Sequence, residues 1–254
     1  MNIDKGGPSL NREDLEAIRT KYITSIDNLR NFYMATIIEN ELAKYFIETK
    51  NLRFDDFKFV FGVKDYEFGT WISRDDLLTT IGNSEGRKSQ LIYLLLTNVV
   101  SIFEELLCDL FIYYVKKTPA FIKNKQTAVT VQQVFEFDDL EHFRMKLIED
   151  EILDFSTARI WDRVEKLRKA YKTAFEIDEF EHAKFIIHKR NLIVHNLGIS
   201  SQNFINKLPK WKSAVEYPAG RTIFISEYEF SEDMHLIESV GRRMVMEILQ
   251  KYNL

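Results

Sequence analysis

The side chains with the clearest chemical potential lie close together in His188-Lys189-Arg190-Asn191-Leu192-Ile193-Val194-His195-Asn196. Histidine exchanges protons near neutral pH. Arginine is a permanent cation whose planar fork grips a phosphate or a carboxylate through paired hydrogen bonds. Ala183, Ile186, Ile187, Ile193, Val194 and Leu197 recur at three-, four- and seven-residue spacings, so the spacing predicts a helix. Arg190 falls within that apolar stripe. A guanidinium there requires an acid or a phosphate opposite it, because an unpaired buried charge is very costly. His195 follows five residues later, about 140° round a helix of 3.6 residues per turn. Arg190 and His195 therefore do not share a face within one helix, whereas a second copy across a two-fold axis would bring such groups together. Asn191 lies one turn from His195 on its face, placed to orient the ring or to bind substrate.

Other chemistries fit less well. His188 and His195 are about 10 Å apart along a helix rising 1.5 Å per residue, too far to share one metal ion. His188 reads as a surface histidine. The chain has neither a His-x-x-x-His pair nor a cysteine cluster, and neither metal nor cofactor is expected. It has no Gly-x-Ser-x-Gly elbow, and its one cysteine, Cys108, sits in an apolar run. Gly82 to Ser89 resembles a phosphate-binding loop only superficially, since Arg87 stands where glycine is needed before Lys88-Ser89.

The elements that must carry these residues are helices. Asn11-Arg12-Glu13-Asp14 marks a helix start, and Leu15, Ile18, Tyr22, Ile26, Leu29, Tyr33 and Ile37 extend its stripe towards Glu48. A helix that long packs along a whole domain or against a partner. Alternation over Phe57–Val63 suggests a short strand or ordered loop. Its aromatics, interleaved with lysines, would suit stacking of single-stranded bases, while an aromatic plug on the bundle is the simpler reading. Ser73-Arg74-Asp75-Asp76 opens a short helix. Gln90 to Lys117 is apolar nearly all round and is expected at the centre. Its polar line, Asn98, Ser101, Glu105 and Asp109, marks the solvent side. Glu104 stands off that line among apolar neighbours and is the expected partner of Arg190, whether that pair is catalytic or merely structural.

Pro119 ends this region, and Lys123 to Gln133 reads as a loop. Helices follow from Asp138 to Leu153 and from Thr157 to Phe175, the latter with Ile160, Val164, Leu167, Tyr171 and Ala174 as its stripe. Its other side carries Arg159, Arg163, Lys166, Arg168, Lys169 and Lys172, a basic face that suits an RNA backbone or is simply solvated. An acidic hinge, Glu176 to Glu181, leads into the motif helix, which ends near Gly198. Thr222 to Ser226 reads as a strand. Ser231-Glu232-Asp233 caps a last helix with Met234, Ile237, Val240, Met244 and Ile248 buried.

The pattern Arg-Asn-x-x-x-His, here RNLIVH followed by Asn196-Leu197-Gly198-Ile199, resembles the signature of HEPN-domain ribonucleases. The resemblance runs from Gln90 to the C-terminus. It implies a mainly α, HEPN-like helical bundle with minor strands, residues 81–254, preceded by an N-terminal helical extension at 1–80. It further implies a homodimer whose facing motifs cut RNA without a metal, with Arg190, His195 and Asn191 catalytic and Glu104 in support. A prokaryotic toxin or anti-phage setting, with an antitoxin or sensor as partner, follows from the same resemblance. The alternative is a catalytically silent helical scaffold, with Arg190 locked to Glu104 and His195 facing the core.

The composition agrees with a globular helical chain. Of 254 residues 45% are hydrophobic, with only 9 Gly and 4 Pro, which disfavours a turn-rich β architecture. A net charge of −4 argues against a nucleic-acid coat protein but leaves room for a locally positive site. The lone cysteine and the polar start MNIDKGGPSL suggest a reducing, cytoplasmic location. The uncharged run Leu91 to Phe103 is too short for a membrane span and reads as a core helix.

Overall fold

A computed structural model describes residues 10–49, 57–63, 66–72, 84–118, 139–175, 179–210, 212 and 216–254. The fold is mainly helical. Its long elements are α1 (Arg12–Thr49), α2 (Ser84–Lys117), α3 (Leu140–Thr157), α4 (Ile160–Tyr171), α5 (Phe180–Asn196) and α7 (Glu227–Lys251), with one turn of helix, α6 (Gln202–Ile205), between the last two. β1 (Phe57–Val63) is the short strand the alternation allowed, and it pairs with an unforeseen second strand, β2 (Tyr66–Ile72), in an antiparallel hairpin with Phe61 opposite Phe68. The expected helix at Ser73–Asp76 and the loop from Lys123 to Gln133 lie outside the described residues, as do Gly82 and Asn83.

α2 is the axis of the bundle. α1, α3, α4, α5 and α7 all pack against it, and Leu96, Val99, Val100, Phe103, Leu107, Leu110 and Phe111 are fully buried. By length and hydropathy the stretch Lys88–Lys117 would suffice to cross a membrane. Here those residues supply the core of the bundle. Asn98, Ser101 and Glu105 are exposed as expected, and Lys21 of α1 bridges Glu105 and Asp109, each at 2.7 Å.

α1 contributes Leu15, Tyr22, Ile26 and Tyr33 to the same core cluster, each apolar side chain stabilising by roughly 1.5–3 kcal/mol on burial. Tyr22 donates to the Ile237 carbonyl at 2.5 Å and lies against Gly241 of α7. Asn11 accepts from the Glu13 amide at 2.8 Å and starts the helix as expected. Towards its C-terminal half α1 leaves Phe32, Met34, Ile38 and Leu42 exposed.

Three expected boundaries move. α7 begins at Glu227, four residues before the expected Ser231, because Ser226 accepts from the Glu229 amide and caps it there. Its stripe Met234, Ile237, Val240, Met244 and Ile248 is buried as expected. Thr222 to Ser226 is not a strand. Thr222 makes a single antiparallel bridge to Ile199, and the next residues run straight into the helix cap. α4 closes at Tyr171 because Lys172 adopts a left-handed conformation, φ 51°, so Ala174 falls beyond the helix and is exposed.

Candidate functional site

α5 carries the motif, and its register decides what each residue does. Phe180, Ala183, Phe185, Ile186, Ile187 and Leu192 are buried, while Val194 and Leu197, counted above as stripe residues, are exposed. The last turn of α5 therefore leaves the core. Leu197 is 81% exposed and held in the left-handed region at φ 51°, a conformation costing a non-glycine residue about 1 kcal/mol. Gly198 follows at φ 75°, and its amide bonds the Leu192 carbonyl at 3.1 Å. The loop is then tied down by Ile223 N–H to Gly198 O (2.8 Å) and Ser200 N–H to Arg221 O (2.9 Å).

Arg190 is partly buried, and its expected partner is the one it meets. Its Nη2 lies 3.9 Å from Glu104 Oε1 on α2. That is an ion pair without hydrogen-bond geometry. Nη1 donates to Asn191 Oδ1 at 3.0 Å, and Nε is shielded from solvent with no acceptor. Asn191 thus orients the guanidinium of Arg190, not the ring of His195. His195 is exposed, and among the described residues it has no hydrogen-bond or ionic partner.

Glu104 is shared. Arg163 of α4 places Nη1 3.9 Å from Glu104 Oε2, the oxygen that Arg190 does not use. Arg163 was expected on an exposed basic face. Instead it is buried, its Nε donating to Ala158 O at 2.8 Å, its Nη2 to Ser156 O, and its Nη1 lying 3.9 Å from Cys108 Sγ. The rest of that face is largely neutralised. Lys166 pairs with buried Glu151, and Arg168 sits over the Phe180 ring and bonds Phe175 O at 3.3 Å. Arg159, Lys169 and Lys172 remain exposed. Burial pushes the Cys108 thiol pKa up, which makes it a poor nucleophile.

The fully buried cation of α5 is Lys189, the residue before the one singled out. Its ammonium donates to Glu229 Oε1 at 2.8 Å and to Asp233 Oδ2, both on α7. The Tyr217 hydroxyl donates to the same Glu229 oxygen at 3.3 Å. Burial raises the Asp233 carboxyl to about 6 even though Lys189 opposes it. Lys189, Glu229 and Asp233 line a cleft of about 490 Å³ between α5 and α7, together with His182, Lys212, Glu232, His235 and Arg243. The sequence held a signal for this: Glu229 and Asp233 stand one turn apart, and Asp233 continues the stripe through Ile237, so a cation had to face them.

His188 is half-buried, not a surface residue, and burial followed by Lys207 and Lys184 depresses its pKa. No group of three or more His, Cys, Asp or Glu side chains among the described residues is placed to hold a metal ion. Gln90, Tyr93, Ile193, Leu197, Ile223 and Phe224 line a second cleft, of about 570 Å³, on the side of α5 away from His195. Leu94, Val194, Leu197, Ile199 and Phe224 leave apolar surface exposed around that end of the bundle. The chain matches no protein-family model, no curated protein and no solved structure.

Proposed function

We propose that the protein is a metal-independent endoribonuclease of HEPN type, working as a homodimer in the cytoplasm of a prokaryote as a toxin or anti-phage protein. The observation that carries this reading is the state of Arg190. Of the five N–H donors of a guanidinium, one is spent on Asn191, Nε has no acceptor, and Glu104 stays at 3.9 Å. Had Glu104 captured Arg190, the pair would close bidentately at about 2.7–2.9 Å. Arg190 keeps its fork available for a phosphate. His195, exposed and unpaired among the described residues, is available for proton transfer.

The chemistry then needs two copies. One His195 takes the proton from a ribose 2′-hydroxyl, and the freed oxygen attacks the adjacent phosphorus. The partner's His195 gives a proton to the departing 5′-oxygen, leaving a 2′,3′-cyclic phosphate and a 5′-hydroxyl. The two Arg190 side chains stabilise the charge that builds on the phosphorane. Apolar surface exposed at Val194, Leu197, Ile199 and Phe224, around the end of α5 that carries His195, supports packing of a second copy there. The scaffold alternative needs His195 turned inward and Arg190 locked, and neither feature favours it.

The test is cleavage of a mixed RNA pool with EDTA present, by the wild type and by Arg190→Ala and His195→Ala. Each substitution is expected to lower the rate by roughly 10²-fold or more, typical of losing a proton-transfer or charge-stabilising group. Unchanged cleavage in both variants ends the ribonuclease reading.

A further inference from the structure

Glu104 carries one negative charge between two guanidinium groups, and each of its oxygens faces a different one. The three side chains together hold a net positive charge. Their anchoring differs sharply. Arg163 is fixed by the Ser156 and Ala158 carbonyls at the α3–α4 junction. Among the described residues Arg190 is held only by its neighbour Asn191 and a distant carboxylate. With Arg163 present, Glu104 divides its attraction and does not close on either cation.

We propose that Arg163 is a positioning residue for Arg190: by occupying the second oxygen of Glu104 it keeps that carboxylate from capturing the Arg190 guanidinium, which stays open to a phosphate. The inference deepens the ribonuclease reading and rests on it for the identity of the anion, but the arrangement itself is measurable without any RNA. Remove Arg163, and the carboxylate is free to turn to Arg190 and form the paired hydrogen bonds that such partners make at about 2.7–2.9 Å. Arg190 would then be spent on its own protein. Arg163 touches no reacting atom, and its influence runs through Glu104 alone.

Phenylglyoxal modifies guanidinium groups that are free, and peptide mapping by mass spectrometry reads the rate at Arg190. Arg163→Gln is expected to slow modification at Arg190 on the order of ten-fold, the effect of one new charge-assisted contact. Adding Glu104→Gln removes the capturing carboxylate, so the double variant should recover the wild-type rate. A merely structural Arg163 would not be rescued in this way. If Arg163→Gln no longer melts cooperatively, Arg163→Met carries the test, since it fills much of the same volume without a charge to hold Glu104. An Arg190 rate unchanged in a folded Arg163 variant, or a slowed rate that Glu104→Gln does not restore, overturns the proposal. RNA cleavage separates the two claims. If Arg163→Gln lowers kcat/KM for RNA by a similar factor, with kcat falling alongside it, both stand. If Arg190 slows as expected but Arg190→Ala cleaves RNA like the wild type, the ribonuclease reading falls and the positioning role survives.

Discussion

Lys189→Met should destabilise the protein in a way that grows with pH, and the structure sets both sign and size. The wild-type Asp233 carboxyl rises from its ordinary 3.8 to about 6 because it is buried. Its folded value exceeds its unfolded one, so between about pH 4 and 6 the folded protein keeps a proton that the unfolded chain has lost. Stability from this group is therefore greatest below pH 4 and declines as pH rises towards 6, by about 3 kcal/mol at ~1.4 kcal/mol per decade. Lys189 is what limits that decline, through hydrogen bonds to Asp233 and to Glu229 at 2.8 Å. Replacing it with an apolar chain of similar length leaves the volume filled but strips the ionised carboxylate of its counter-charge. Breaking a buried pair from one side costs about 3–5 kcal/mol. At pH 5 Asp233 is mostly protonated, and that part of the penalty is absent. Urea unfolding at fixed ionic strength should therefore show a larger wild-type-minus-variant difference at pH 8 than at pH 5. Adding Asp233→Asn should recover much of the loss at pH 8. The reasoning is refuted if the difference is the same at both pH values, or if the second substitution deepens it.

Two further perturbations probe the frame around the site. Gly241→Ala would place a Cβ 2.5 Å from the Tyr22 ring, whose hydroxyl is tied to Ile237 O. A helix-propensity gain of about 1 kcal/mol meets an overpacking cost of about 1–3 kcal/mol. Tm should fall by several degrees, at roughly 2–4 °C per kcal/mol, and a Tm at or above the wild type contradicts the close approach. Leu197→Glu alters a side chain that is 81% exposed. It should leave unfolding nearly unchanged while analytical ultracentrifugation shows monomer and RNA cleavage is lost. A cleaving dimer would sink the idea that this surface joins the two copies.

The architecture was largely legible because hydrophobic spacing reports burial directly. The α7 stripe is buried throughout, the α1 stripe is buried at Leu15, Tyr22, Ile26 and Tyr33 and partly buried at Ile18, Leu29 and Ile37, and α2 is central as its all-round apolar character implied. The motif helix was harder. Lys189 and Arg190 are separated by about 100° of rotation, and both have apolar neighbours one turn away, Phe185 and Ile186 for one, Ile186 and Ile187 for the other. Periodicity cannot decide between adjacent cations on a helix buried on two sides. Only the tertiary partners do, Glu229 and Asp233 for Lys189 and Glu104 for Arg190. Arg163 was misplaced for a related reason. The charges of α4 were read as one exposed face, yet Arg163 sits beside Val164 and Leu167 at the buried edge, where two free carbonyls at the end of α3 receive it. Glu104 was correctly assigned because it broke an otherwise apolar surround, a contrast strong enough to read in one dimension.

In the proposed site the two cations of α5 divide the labour between holding the helix and meeting a ligand. A guanidinium can act on a ligand only if its backbone is fixed while its donors remain unspent. Lys189 supplies the fixation: fully buried and bound to two carboxylates of α7, it locks the rotation of α5. One residue later, Arg190 points towards α2 and meets a single carboxylate already shared with Arg163. Swapping the partners would defeat the arrangement, because two acids facing Arg190 would consume its fork and leave α5 unanchored. The same logic extends to the end of the helix. The bonds from Gly198 to Ile223 and from Ser200 to Arg221 fix the turn after His195 without engaging the imidazole. Backbone and neighbouring residues hold the helix, and Arg190 and His195 are left with donors unspent.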